Sequence, residues 1–180
     1  MSCTLTLSAT KRGCATPSGI QSLYILDHEA RKDSEVVFTE SNGALSMTNA
    51  GAQVSAYHIE PVYNTATVTT PITSDATSNA FKYDRNLEFK IDGYYAETST
   101  LVENIVKGRT EVLVEWVNGS YTYMGNERGL SVTGGDAGTT ATNLNDPKGV
   151  TLTLMEESTK PMQMVDFAEF GAAFTIVKAV

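Results

Sequence analysis

The longest regular pattern in this chain is an alternation of apolar and polar residues over positions 81–92. Apolar residues occupy every second position except Arg85, which is the period of a β-strand, so one side of the strand is mostly apolar and the other side is polar. The preceding run, residues 65–73, also favours extended structure. Together the two runs predict a long antiparallel hairpin whose loop lies near residues 74–79.

The two sides of this predicted hairpin differ in chemistry and are the candidate functional surfaces. The side expected to pack on the rest of the protein consists of Phe81, Tyr83, Leu87, Phe89 and Ile91. The side expected to meet water consists of Lys82, Asp84, Asn86, Glu88 and Lys90, with Thr65, Thr67 and Thr69 on the opposite strand. A sheet this long and one-sided must protect its edges, and closing a ring with copies of itself would do so. The pattern therefore favours an assembly protein over an enzyme.

Shorter runs elsewhere predict further strands and one helix. The strand candidates are residues 20–26, 36–39, 53–60, 111–117, 121–124 and 150–155, with Asn118-Gly119 as a hairpin turn. Apolar residues at helical spacing from Leu101 to Val106 predict a helix of about eight residues, with Ser99 or Thr100 as its N-cap and Lys107-Gly108 at its end. The charged stretch 27–35 is expected to be a solvated loop, and residues 129–142 a loop or a loose ribbon.

These elements predict a single, mainly β domain over residues 1–180: a β-sandwich or small barrel with one short flanking helix and a long hairpin. Residues 1–19 are expected to form an N-terminal arm. The apolar C-terminal segment 165–180 is expected to dock either on its own core or on a neighbouring copy, and the pattern does not decide its secondary structure.

Composition narrows the function. The formal net charge is −8 and the chain contains 24 threonines, which suit pleated surfaces without adding charge. This balance argues against tight nucleic-acid binding, which needs clustered cations to neutralise phosphates. The start of the chain lacks the pattern of a signal peptide, and no segment is long and apolar enough for a membrane helix, so we expect folding in a cytoplasm and no membrane partner. Cys3 and Cys14 are expected to be free thiols.

The sequence offers little catalytic or metal-binding chemistry. His28 falls in the charged stretch, and His58 falls on a probable strand as a surface or rim residue. The run Gly134 to Gly138 lacks the context of a phosphate loop and is expected to be a hairpin tip. Glu156 and Glu157 are expected to be solvated in a turn. We therefore expect no enzyme activity, no cofactor and no metal.

The order of features carries a resemblance to a known family. These features are a short helix (98–108), an apolar strand (111–117), the Asn118-Gly119 turn, the strand Tyr121-Thr122-Tyr123-Met124-Gly125, a Gly- and Thr-rich loop (134–142), and Pro147-Lys148-Gly149 leading into Val150-Thr151-Leu152-Thr153-Leu154. Gly13-Cys14 and Ser18-Gly19-Ile20, followed by Leu23-Tyr24-Ile25-Leu26, agree with the same pattern. Over most of its length the chain resembles the tail tube and tail ring proteins of phages and prophages of Bacteroidetes hosts.

The resemblance implies a β-sandwich that assembles as a hexameric or higher ring. Stacked rings form the conduit through which DNA leaves the head, and a long hairpin from each subunit joins a barrel around the lumen. The polar side would then face the lumen, with Lys82, Asp84, Asn86, Glu88, Lys90, Thr65, Thr67 and Thr69. The implied partners are further copies, neighbouring tail or neck proteins, and DNA that passes without specific binding. The implied location is the virion tail, assembled in the host bacterial cytoplasm.

Three other classes remain open at the level of sequence. One is the tube subunit of a phage-derived injection device, as in a type VI secretion system. A second is a head-completion or capsid-decoration protein, which binds a preformed shell and does not polymerise with itself. The third is a carbohydrate-binding or small enzymatic β-domain, for which Trp116, Tyr121 and Tyr123 are the aromatic candidates.

Overall fold

In the described part of the chain, residues 19–75, 80–92, 96–139 and 149–178, the computed structural model is built from thirteen strands and three helices. The strands are β1 (Ile20–Asp27), β2 (Val36–Ser41), β3 (Ala44–Asn49), β4 (Val54–Ile59), β5 (Thr67–Thr69), β6 (Ile72–Asp75), β7 (Ala80–Asp92), β8 (Thr110–Trp116), β9 (Tyr121–Met124), β10 (Ser131–Thr139), β11 (Gly149–Ser158), β12 (Gln163–Val165) and β13 (Phe174–Lys178). The helices are α1 (His28–Lys32), α2 (Ala96–Lys107) and α3 (Phe167–Ala173).

The strands form two sheets. The larger sheet has the order β13-β4-β1-β8-β9-β12-β3-β2, and all its pairs are antiparallel except β13 with β4 and β12 with β3. The smaller sheet has the order β10-β11-β7-β5, and β6 also pairs with β7. The prediction of a mainly β sandwich with a short helix is confirmed, and the open choice between sandwich and barrel resolves to a sandwich.

Both faces of the larger sheet are covered at its centre. In β1, Leu23 and Ile25 point into a core shared with the smaller sheet, whereas Tyr24 and Leu26 point into a second core that contains Phe170 of α3. Five consecutive residues of β1 are buried for this reason. A strand that is covered on both faces does not alternate between apolar and polar residues as a half-exposed strand does. This explains why apolar and polar residues alternate poorly in β8, the antiparallel neighbour of β1.

The long hairpin is antiparallel, as predicted. β5 and β6 both run antiparallel to β7, with Val68 opposite Leu87 and Ile72 opposite Tyr83. Between them the pairing is interrupted near Pro71, whose carbonyl accepts the Asp84 N–H at 3.0 Å. Residues 76–79, most of the predicted loop, lie outside the described residues.

Helix α2 is longer than predicted and begins earlier. It starts at Ala96, so Ser99 and Thr100 lie within the helix and neither is its N-cap. Val102 and Ile105 are buried in the core between the sheets, as their spacing predicted. A helix of twelve residues is marginal alone, and this buried face stabilises it in place.

The charged stretch 27–35 is not a solvated loop, and that prediction was wrong. Asp27 caps α1 by accepting the Ala30 N–H at 2.9 Å, and α1 buries His28 and Arg31. Both side chains are drawn inward by Glu111, a fully buried carboxylate on β8. His28 Nδ1 lies 2.5 Å from Glu111 Oε1, and Arg31 Nε donates to the same oxygen at 2.7 Å.

Two further loop predictions were wrong. Residues 131–139 form the nine-residue strand β10, so Gly134 and Gly135 lie within a strand and not at a hairpin tip. Glu156 lies within β11 and is 2% exposed, whereas Glu157 is exposed as expected. Glu156 is buried because it pairs with Arg85 of β7, whose guanidinium Nη1 donates to Glu156 Oε2 at 3.1 Å.

The C-terminal segment docks on its own chain. β12 and β13 add to two different places in the larger sheet. Phe170 of α3 and Phe174 at the start of β13 lie in the second core. Asp166 caps α3 by accepting the Ala168 N–H at 2.9 Å. The predicted arm lies outside the described residues except for Gly19, whose carbonyl accepts the Val117 N–H.

The buried group of Glu111 with Arg31 and the buried pair of Glu156 with Arg85 meet at the turn that follows β9. Asn126 accepts from Arg31 through its carbonyl at 3.1 Å and from Arg85 through its side-chain oxygen at 3.4 Å. Arg85 also donates to the carbonyls of Lys160 and Pro161, at 2.7 and 2.9 Å. Arg85 therefore holds the 159–161 loop over one end of the core.

The neighbouring Gly125 adds a backbone bond to this group. Its N–H donates to Glu156 at 2.9 Å, with a φ of +93° that favours glycine. A Cβ at this position would lie 2.8 Å from the Thr110 carbonyl oxygen, so the turn also depends on the missing side chain.

Replacing Arg85 with Met should lower the free energy of unfolding by about 3–5 kcal/mol, because Glu156 would remain buried without its cation. Urea denaturation followed by circular dichroism measures this change. The matched control is Lys107→Met, which breaks the exposed pair with Glu103 on α2 and should change stability by less than about 0.5 kcal/mol. A loss below about 1 kcal/mol in Arg85→Met would contradict this role.

The pair between Lys160 and Glu40 should make stability depend on acid pH. Lys160 Nζ lies 2.5 Å from Glu40 Oε2, and hydrogen bonds from Lys160 and then Gln163 lower the pKa of Glu40 from its ordinary value of 4.5. The pair therefore stabilises the fold above pH 4.5, and this contribution is lost as the pH falls through the lowered pKa. Glu40→Gln should be less stable than the parent at neutral pH, by at most about 1 kcal/mol because the pair is exposed. The difference should shrink as the pH falls from neutrality through the lowered pKa of Glu40. An equal difference at neutral and acid pH in urea titrations would contradict it.

Candidate assembly surface

The polar side of β7 forms the middle of a wide polar surface on the smaller sheet. Because paired residues of neighbouring strands share a face, the register extends this side across β5, β11 and β10. We call this face the hairpin surface. Its rows are Thr69, Asn86, Met155 and Ser131; Thr67, Glu88, Thr153 and Gly134; Lys90, Thr151 and Asp136; Asp84 and Glu157; and Thr73 and Lys82.

The structure therefore brings together seven of the eight polar residues that the sequence identified. Thr67 and Thr69 lie opposite Glu88 and Asn86, as expected of a hairpin. Thr65 is the exception. It precedes β5 and its hydroxyl donates to the Val62 carbonyl at 2.6 Å, so Thr65 stabilises a turn outside the strand. Whether the surface faces a lumen stays a prediction.

Sequence reasoning missed the half of the surface that β10 and β11 contribute. In β11, Thr151, Thr153, Met155 and Glu157 alternate with buried residues, so the pattern T-L-T-L was the available signal. β10 gave no such signal because its sequence is S-V-T-G-G-D-A-G-T, with few apolar positions. Its pairing is irregular between Val132 and Gly134, which further blurs the period.

Lys82 neutralises a repulsive pair on this surface. Asp84 and Glu157 lie directly opposite each other on neighbouring strands, an arrangement that is unfavourable for like charges. Lys82 Nζ lies 2.5 Å from Glu157 Oε1 and 3.2 Å from Asp84 Oδ1. Hydrogen bonds to Glu157 and then Asp84 raise the pKa of Lys82 above its ordinary value, so the cation persists at neutral pH.

The chemistry of the hairpin surface is polar with a small excess of negative charge. It contains two lysines, Lys82 and Lys90, and four carboxylates, Asp84, Glu88, Asp136 and Glu157. Threonine hydroxyls occupy most of the remaining positions. Such a surface lacks the clustered cations that hold a phosphate backbone, and its excess of carboxylates repels a polyanion at short range.

The predicted packing side divides into a buried and an exposed part. Leu87 and Phe89 are fully buried and Ile91 is 7% exposed, whereas Tyr83 is half-buried and Phe81 is 58% exposed. The expectation that Phe81 packs on the sandwich was therefore wrong. The physical reason is that β11 ends at Ser158, opposite Tyr83, so the hairpin extends beyond its own core.

The residues considered for other chemistry do not converge on a site. Tyr123 is buried and donates to Glu111, whereas Trp116 packs beside the core on the other face of the sheet. Tyr121 is half-buried, stacks on Phe167 with ring centroids 4.8 Å apart, and donates to Glu115. No group of three or more His, Cys, Asp or Glu residues within the described ranges could hold a metal ion.

None of the helices in the described residues combines the length and the apolar character needed to cross a membrane. Comparisons with protein-family models, with curated proteins and with solved structures find no match for this chain.

Replacing Lys82 with Met should lower the midpoint of thermal unfolding, because Asp84 and Glu157 would face each other without a cation. The raised pKa means that the stabilisation by Lys82 is fully present at neutral pH and is lost only as the pH rises through that raised value. The loss should be larger at low salt than at high salt, since ions screen exposed charges. Adding Asp84→Asn to Lys82→Met should restore much of the midpoint. If the double variant is no more stable than the single variant, the repulsion is not the cause.

Proposed function

We propose that this chain is a non-enzymatic structural subunit that assembles into rings of a phage tail tube or tail, with the hairpin surface lining the conduit for DNA. The observation that carries the proposal is the hairpin surface itself, a broad polar face rich in threonine between two sheet edges that no described strand covers. The chain's resemblance to tail tube and tail ring proteins supports the same function. The site of action is the virion tail, assembled in the cytoplasm of the host bacterium.

The sheet edges suggest how rings would form. β10 is the edge strand on one side of the smaller sheet, and β5 and β6 form the edge on the other side. None of the described strands pairs with the outer edge of β10, β5 or β6. Exposed edges are sites for pairing with another chain. Joining the β10 margin of one copy to the β5–β6 margin of the next is a heterologous contact, and such contacts generate a ring when the rotation closes.

A ring of this kind would have an open centre. Six copies of a four-stranded sheet would give a barrel of roughly 24 strands, and barrels of about 16 strands already enclose a water-filled channel. The hairpin surface would line that channel, and its uncharged hydroxyls and small negative excess would let DNA pass without being held. Neighbouring tail or neck proteins would contact the first and last rings.

The proposal predicts rings or tubes with an open lumen in the purified protein. Negative-stain microscopy and light-scattering mass should be recorded at increasing concentration. Assembly variants belong on exposed positions, since Leu87 and Phe89 lie in the core and charge there would test folding instead. A protein that stays monomeric at every concentration, alone and with preformed shells or tails, would contradict the proposal. A monomer that binds only preformed capsids would favour a decoration protein.

A labelling experiment tests which face lines the lumen. In a background with Cys3→Ser and Cys14→Ser, Thr67→Cys places a thiol on the hairpin surface and Thr39→Cys places a matched exposed thiol on β2. In assembled particles, a small maleimide should reach both thiols. A maleimide coupled to a large polymer should reach only Cys at position 39. Equal access of the polymer to both positions would remove the hairpin surface from the lumen.

A further inference from the structure

The end of the hairpin that extends beyond the core carries exposed apolar side chains. Ile72 is 66% exposed, Phe81 is 58% exposed and Tyr83 is half-buried. Ile72 pairs with Tyr83, and Tyr83 and Phe81 are two residues apart, so all three side chains share one face. The rings of Phe81 and Tyr83 contact edge to face, with centroids 6.0 Å apart. We call these three residues the hairpin knob.

A large groove lies at the other end of β7. Residues of β4 and β13 in the larger sheet and residues of α2 line it, and its volume is about 1090 Å³. The groove is lined by apolar residues and by polar or charged ones. The apolar residues are Ile25, Leu26, Tyr57, Ile59, Ile91, Leu101, Ile105 and Val177, and the others include Asp27, His58, Glu60, Asp92, Asn104, Lys107 and Lys178. Tyr57 is 41% exposed and Val177 is 37% exposed, so apolar surface of the sheet is uncovered here. We call this cavity the α2 groove.

Strand β7 connects the two features. Phe81 lies in the knob near the start of β7, and Ile91 and Asp92 line the α2 groove at its end. At about 3.3 Å per residue, the ten steps from Phe81 to Ile91 separate the two by roughly 33 Å along one strand. The hairpin knob and the α2 groove thus lie at opposite ends of strand β7.

We propose that the hairpin knob of one copy inserts into the α2 groove of the next copy. The groove has a volume of about 1090 Å³, and its lining combines apolar side chains, which match the knob, with charged ones such as Asp27, Glu60 and Lys107. The contact joins two different surfaces, so it does not close on a pair of copies but repeats head to tail along the β7 direction. It deepens the proposed function and rests on it in one respect: in a ring assembly this contact would stack one ring on the next.

The size of the knob explains why rings would be needed for a stable stack. Three side chains bury far less than the ~800 Å² per partner of a standard interface, so one knob in one groove would bind weakly. Six such contacts between two rings would act together, and the later contacts form at high effective concentration. The contact is therefore expected to be weak between single subunits and strong between rings.

Disulfide trapping tests this contact directly. In a Cys3→Ser, Cys14→Ser background, Ile72→Cys marks the knob and Val177→Cys marks the groove. Val37→Cys is the matched control, because Val37 is 58% exposed on β2 and belongs to neither surface. After mixing one tagged and one untagged variant under oxidation, Ile72→Cys with Val177→Cys should give a linked heterodimer. Either variant alone, or Ile72→Cys with Val37→Cys, should give background levels.

The outcomes separate this contact from the ring. Rings that form without the 72–177 link overturn the knob-in-groove contact and leave the ring proposal standing. A 72–177 link without rings supports the contact and overturns the ring. If Val177→Cys in a chain that retains Cys3 and Cys14 links to either of them within one chain, the groove is occupied by the N-terminal residues and the contact is overturned.

A charge in the knob gives a second measurement. Phe81→Asp places a carboxylate on an exposed side chain, so the subunit should fold, which circular dichroism verifies. The variant should give single rings in place of tubes, because a buried unpaired carboxylate opposes stacking. Val37→Asp should form tubes like the parent. Tubes of normal length from Phe81→Asp would overturn the contact.

Discussion

The burial of charge in the protein interior constrains most of this fold. Glu111 and Glu156 are both almost fully buried, and an unpaired carboxylate in that environment would be strongly unfavourable. Each therefore requires cations and hydrogen-bond donors from distant parts of the chain. Glu111 draws in α1 through His28 and Arg31, and Glu156 holds the centre of β7 through Arg85. The turn at Asn126 receives hydrogen bonds from both arginines and links the two groups.

We expect these buried ions to specify the arrangement more than they add to its stability. Desolvation offsets much of the attraction in a buried pair, so an apolar replacement of similar shape can be as stable. What the pairs do is exclude alternatives, because any other register of β7 on β11 would leave Arg85 without Glu156. The same arginine closes the end of the core through the carbonyls of the 159–161 loop. The part of the hairpin beyond the 159–161 loop does not pack on a core.

Strand β7 serves folding and the proposed assembly at the same time. One side supplies Leu87 and Phe89 to the core, and the other side supplies the middle row of the hairpin surface. Its first residues extend past the core as the hairpin knob, and its last residues line the α2 groove. Because the exposed positions on these surfaces, such as Ile72, Phe81 and Val177, lie outside the two cores, they can be changed without removing core packing. This separation makes the assembly proposals testable in folded subunits.

The sequence by itself determined the local elements whose side-chain period is visible along the chain. The alternation in 81–92 predicted β7 and placed Leu87 and Glu88 on its opposite faces. The helical spacing of apolar residues predicted the buried side of α2. Period reports a difference between two sides of an element, so it fails where both sides are alike. It failed for β10, which has few apolar residues, and for the C-terminal segment, in which apolar residues predominate and only Asp166, Glu169, Thr175 and Lys178 are polar or charged.

Only the tertiary structure decided how distant segments meet. The sequence predicted that His28, Arg31 and Glu156 are solvated. Nothing near them in the sequence reveals their buried partners, which are Glu111 for His28 and Arg31 and Arg85 for Glu156. The exposure of Phe81 was likewise undecidable from the chain, because it depends on where the neighbouring strand β11 ends. The pattern of a strand indicates which side chains share a face, but the elements packed against that face decide whether it is buried. That packing depends on contacts between residues far apart in sequence, which local periodicity does not encode.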